Sequence, residues 1–196
     1  MKIKIYLHNY KYGGEENWKP IFDEIMEYID NSGIKRDINF DELKIFNKDT
    51  AELYEWITLE KLWEDAINTD EEYYVLYLHN KGATHINAKI KNAKYWRQYM
   101  LYFCVSRWQD CIKELQNFIA VGVDLSQENN NLWFAGNFWW TKSSYIKKLE
   151  NPSKFINDRM YAEMWLGSKS ILNEFKSLHN SNINHYEVEY KENFYL

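Results

Sequence analysis

The chain has little cysteine, no long apolar run and no excess of basic charge, and each shortage closes off a class of protein. Only Cys104 and Cys111 occur among its 196 residues. Seven positions apart on a predicted helix, they share one face but stand about two turns from each other, too far for a disulfide. No C-x-x-C zinc spacing is present, so both read as buried core thiols of a reducing compartment. No apolar stretch approaches the ~20 residues that span a bilayer. Met1 to Lys4 opens a strand pattern rather than a signal peptide. The expectation is a cytoplasmic chain with no transmembrane segment. The formal net charge is −5 and the basic residues are dispersed. Nucleic-acid binders usually carry a basic stripe, so nucleic acid is not an expected partner.

Several familiar signatures are also missing. No G-x-G-x-x-G follows the first strand and no G-x-x-x-x-G-K-[ST] occurs, which removes the main support for dinucleotide and P-loop sites. The G-x-S-x-G of α/β-hydrolases is absent. Five histidines and many carboxylates are present, but none fall at H-E-x-x-H or a comparable metal spacing.

What the chain does have is aromatic residues, 18% of the total, with nine Trp and sixteen Tyr. Their flat apolar faces with one hydrogen-bonding atom suit stacking on sugars or lining a cleft, although many must serve an ordinary core. Ile3, Ile5 and Leu7 alternate with Lys4, Tyr6 and His8 as an opening strand. Asn17 is placed to cap a helix with Pro20 in its first turn, and Gly33 ends its apolar period. Leu43 to Phe46 is a second strand, and a helix starts at Thr58. Tyr73 to Leu78 is an almost wholly apolar run suited to a strand buried on both faces. This β-α-β-α-β start predicts a parallel, doubly wound sheet. Residues 92–118 predict one long helix whose apolar stripe Arg107 interrupts. Ile119 to Leu125 reads as a fourth strand, 127–131 as a polar loop, and 185–188 as a late strand. Helices are expected from Ser143 or Ser144 to Leu149, and from an Asn157 or Asp158 cap through Leu166.

Four clusters can carry chemistry. His79, Asn80, Lys81 and Gly82 follow the apolar strand, at the edge where open α/β sheets bind ligands. An imidazole, an amide and an ammonium there can grip a phosphate or a sugar, although an ordinary strand exit with a solvated lysine fits equally. Gly136-Asn137-Phe138-Trp139-Trp140 offers close backbone approach, an amide and two indoles, with a bulge in a buried strand as the plainer reading. If that segment is extended, Trp139 and Trp140 point to opposite faces, one to the core and one to a cleft. Asp158, Arg159 and Glu163 form either an i, i+4 ion pair or a cleft that presents Glu163 as a general base. His179 and His185 complete the set.

Taken together, YVLYLHNKGATH, YWRQYMLYFCVSRWQDCIKEL, VGVDL, FAGNFWWTKSSYIKKL and DRMYAEMWLGS resemble GT-A-like glycosyltransferases of bacterial surface-polysaccharide clusters and large DNA viruses. The resemblance runs from Tyr73 to Ser168, plus the His185-Tyr186 tail. It implies one domain with a GT-A-like (Rossmann-like), mostly parallel sheet flanked by helices and a less regular C-terminal acceptor side. Residues 1–125 would form the nucleotide-sugar half and 126–196 the acceptor half. The implied function is transfer of a sugar from a nucleotide-sugar donor to a hydroxyl of a glycan acceptor. The nucleoside would lie at Leu7, His8 and Asn9, and the diphosphate at His79, Asn80, Lys81 and Gly82, helped by His185. The acceptor would lie against Gly136, Asn137, Trp139 and Trp140. Glu163 would be the base, with Asp158 in reserve. Such enzymes imply Mn²⁺ or Mg²⁺ on an Asp-x-Asp after the third strand, where this chain has His79-Asn80-Lys81. That leaves His79 and Asp124 as candidate ligands and an expectation of weak or unconventional metal dependence. The competing expectation is a non-catalytic carbohydrate-binding or interaction module.

Overall fold

A computed structural model describes residues 1–49, 55–84, 88–129, 131–155 and 159–196. Strand β1 (Lys2–Tyr10) pairs in parallel with β2 (Phe40–Lys48) on one side and β3 (Tyr73–His79) on the other. Helices α1 (Glu15–Asn31) and α2 (Trp56–Ile67) lie between these strands in the chain. The first crossover runs from β1 to β2 and the second returns from β2 past β1 to β3, so right-handed connections in these opposite directions put the two helices on opposite faces. The packing shows this directly. Ile3, Ile5 and Leu7 meet Ile25 and Ile29 of α1, whereas Tyr6 joins the cluster of Leu59 and Leu62 of α2. Both faces of β1 are therefore covered, and Tyr6 and His8 are buried rather than solvated.

The chain continues through α3 (Ala88–Leu101), a π-helical turn over Tyr102–Ser106, and α4 (Trp108–Glu114). Then come β4 (Ala120–Gly122), β5 (Leu125–Glu128), β6 (Asn131–Phe134) and β7 (Trp139–Lys142). Two short helices, α5 (Ser143–Ile146) and α6 (Arg159–Met164), precede β8 (Phe175–Ser177). The main sheet has the order β2-β1-β3-β7-β4-β8. β7 is antiparallel to both its neighbours, so the other five strands share one direction. This is a mixed α/β fold with a mostly parallel sheet. The two halves of the chain interleave in it, because β7 inserts between β3 and β4.

Several local expectations change. The helix of 92–118 is broken by the π turn. Arg107 falls at that break, where it pairs with Asp110 at 2.6 Å on the surface. The cysteines are free and buried, and burial pushes the Cys104 thiol up to about 12. Pro20 lies inside α1, which begins at Glu15. The stretch read as a polar loop supplies the exposed Gln127, Glu128 and Asn131 to an antiparallel β5–β6 ribbon, whose Leu132 and Phe134 are buried. The late strand is 175–177, paired to β4. Residues 184–188 turn helically instead, with the Glu187 and Val188 amides both donating to the Asn184 carbonyl. The caps proposed at Asn157 and Asp158 lie outside the described residues. Among the described residues no helix is long and apolar enough to cross a membrane.

Candidate functional site

The carboxyl ends of β1 and β3 meet where the winding reverses, which is where such sheets open a crevice. The register sets His8 beside His79. On the α2 side, His8 Nδ1 meets Thr58 Oγ1 at 2.8 Å. Burial, with His79 and Lys48 as lesser causes and Glu55 opposing, lowers the His8 pKa to about 4. The unfolded chain then binds a proton more readily than the folded one between pH 6.5 and 4. Stability is therefore full above that window and falls as pH drops through it, by roughly 3 kcal/mol in total from this one group. His8→Gln should flatten the decline in unfolding midpoint between pH 7 and 4.5. An unchanged slope would assign the decline to other groups.

Beside His8, Glu55 collects the network that sequence reasoning missed. Its Oε2 accepts from the Tyr77 hydroxyl at 2.8 Å and from Asn137 Nδ2 at 2.6 Å. Its Oε1 lies 3.7 Å from His79 Nδ1, while His79 Nε2 donates to the Gly136 carbonyl at 2.8 Å. Tyr77 is held well above the usual phenol range by burial first, then by the charge and hydrogen bond of Glu55, and by the charge of Glu163. Glu163, half-buried on α6, thus acts on the same phenol as Glu55. Asp158 and the Arg159 side chain lie outside the described residues.

The segment 134–137 is a tight turn in which the Asn137 amide bonds the Phe134 carbonyl at 2.9 Å. Gly136 has φ +86° there, a left-handed conformation that favours glycine, and a Cβ would lie 2.4 Å from Met100 Sδ. Asn137 follows at φ +60°, and its Oδ1 accepts from Trp139 Nε1. Trp139 and Trp140 do point to opposite faces, but helices cover both, leaving the indoles 1% and 0% exposed. Trp139 stacks on Tyr77, and Trp140 Nε1 donates to the Cys104 carbonyl at 2.7 Å. Neither indole offers an exposed platform to an acceptor. Leu7 is likewise a core residue with no exposed surface.

On the α1–α3 side, Asn80 ties the ends of the two strands together. It bonds the Tyr10 amide and carbonyl and the Asn9 side chain, and Asn9 reaches Asn47 in turn. These amides are spent on the scaffold. Lys81 is not the solvated lysine of a plain strand exit. It is 7% exposed, with its Nζ 4.2 Å from the centre of the Trp96 ring and 3.4 Å from the Tyr186 hydroxyl. Among the described residues no carboxylate lies within ion-pairing distance of it. Its own carbonyl accepts from Arg97, which pairs with Glu24. Gly82, at φ +98°, lines a groove with residues of α1 and α3.

Further along the edge, Asp124 sits at φ +48° just past β4. It accepts from the Ser181 amide at 2.5 Å and the Ser181 hydroxyl at 2.9 Å, and lies 2.8 Å from His185 Nε2. His79 and Asp124 are thus committed to different partners. Among the described residues no three His, Cys, Asp or Glu side chains gather as ligands.

No curated protein and no solved structure matches the chain. A family model described as a domain of unknown function (DUF8361) matches residues 27–190, which takes in β2, β3 and every site element beyond β1. The chain belongs to that family.

Proposed function

We propose that the chain is a nucleotide-sugar-dependent glycosyltransferase on a GT-A-like fold, acting on a hydroxyl of a glycan acceptor. One observation carries the reading: the buried Lys81 ammonium, held on an indole face at the sheet's carboxyl edge without a counter-charge among the described residues. A buried charge ordinarily has a partner. A departing diphosphate supplies one, and an ammonium fixed in a desolvated site stabilises that developing charge without reorganising. The carboxylates about Tyr77, on the α2 side, are assigned the other half of the reaction. Glu55 is engaged in holding Tyr77 and Asn137, which leaves Glu163 as the base. For inversion, the C1–O bond to the diphosphate breaks and its electron pair leaves with the phosphate. The acceptor oxygen bonds C1, and its proton passes to Glu163.

The test is a thermal-shift series with UDP, GDP and dTDP against neutral glycans. At a hundredfold excess over Kd, a bound nucleotide stabilises the fold by about 2.7 kcal/mol. The proposal expects one nucleoside diphosphate to raise the midpoint. A response to glycans alone would leave a carbohydrate-binding module instead.

A further inference from the structure

A cleft of about 470 Å³ opens beside the Lys81 site, between Trp96, the turn at Asp124–Ser126 and residues 180–186. Two rings in its wall are stacked, Trp96 and His185, with centroids 5.0 Å apart and planes within 6°. Each keeps one buried polar atom without a partner among the described residues: Trp96 Nε1 and His185 Nδ1. Buried donors and acceptors in native proteins are nearly always paired, so two orphans on touching rings need an explanation.

Their chemistry is defined. Trp96 Nε1 can only donate. His185 Nε2 faces the Asp124 carboxylate, an acceptor, so the tautomer with its proton on Nε2 fits there and leaves Nδ1 as an acceptor. The vacant positions are therefore one donor and one acceptor on two stacked rings. A sugar hydroxyl does both jobs, and two adjacent hydroxyls of a pyranose satisfy the pair. The lining argues the same way by charge. It contains no lysine or arginine, and its one carboxylate already faces His185 and Ser181. A phosphate gains nothing there. Trp96 and Tyr186 contact Lys81 and also line the cleft, so a diphosphate on Lys81 and a sugar in the cleft would be neighbours.

We infer that this cleft binds a neutral pyranose through Trp96 Nε1 and His185 Nδ1. The assignment deepens the transfer reading by placing the sugar. Both atoms are sealed from solvent, so entry requires the 180–186 segment to yield. The probes are methyl glycosides of gluco, galacto, manno and rhamno configuration, followed through the Trp96 indole N–H resonance, which Trp96→Phe identifies by its loss. At least one glycoside should move that resonance saturably, and UDP or GDP alone should not saturate it. Trp96→Phe keeps the ring under Lys81 but removes the donor, and should weaken glycoside binding about tenfold, the loss of one hydrogen bond. Competition by a nucleotide sugar would assign the site to the donor sugar, and independent binding to the acceptor. Failure of every glycoside, equal glycoside affinity in Trp96→Phe, or a site filled by nucleotide alone would each overturn the inference. Nucleotide stabilisation of the fold would survive any of these results, so the two readings fail separately.

Discussion

Lys81→Ala is expected to lower donor turnover by about 10²–10³-fold, the effect of removing one preorganised charge contact from a transition state. Burial complicates the alanine variant, because the lysine stem and its contact with Trp96 are lost together with the ammonium. Lys81→Met separates the two, since it keeps the aliphatic stem and removes only the charge. Turnover should fall equally in both variants, while the unfolding midpoint should fall further in the alanine. Wild-type turnover in Lys81→Met would make the lysine a packing residue and remove the anion site. An ammonium at this position serves as a point charge rather than a bidentate clamp, so Lys81→Arg should rescue poorly in the confined space under Tyr186.

Trp140→Ala should have the largest effect on stability. The indole is fully buried in β7, the antiparallel strand between β3 and β4, and its Nε1 satisfies the Cys104 carbonyl within the π turn. Truncation opens a cavity and costs ~3–5 kcal/mol, a large share of what holds a domain of this size together. Trp139→Ala should behave alike through the other core, where it releases Tyr77 and the Asn137 amide. In whatever fraction remains folded, acceptor kinetics should not change. Altered acceptor use in folded Trp140→Ala would restore the indole to the site.

The reach of the sequence follows from how local each determinant is. The apolar run 73–78 and the alternation at 3–7 carry their own period, so the parallel start of the sheet is legible from them. The polar exit at 79–82 is legible for the same reason. Glu55 is not. Nothing in its neighbours sets it apart from other acids, and its role depends on Asn137, which lies 82 positions away. The burial of Lys81 is equally hidden, because Tyr186, 105 positions on, helps to close over it. Trp139 and Trp140 show the opposite failure. Strand alternation correctly separates the two indoles, but no period reveals that helices cover both faces of the strand. The β5–β6 ribbon escapes notice because the residues at its tip, Gln127, Glu128 and Asn131, are polar and exposed and interrupt the apolar period on either side.

The most direct measurement is release of nucleoside diphosphate from a panel of UDP-, GDP- and dTDP-linked sugars, with glycan acceptors present, by wild-type protein and Glu163→Gln. The account predicts release from at least one donor by the wild type, accelerated by an acceptor, and loss of that acceleration in Glu163→Gln. No release from any donor by folded protein, with glycosides still bound at Trp96, would contradict transfer and leave a sugar-binding module.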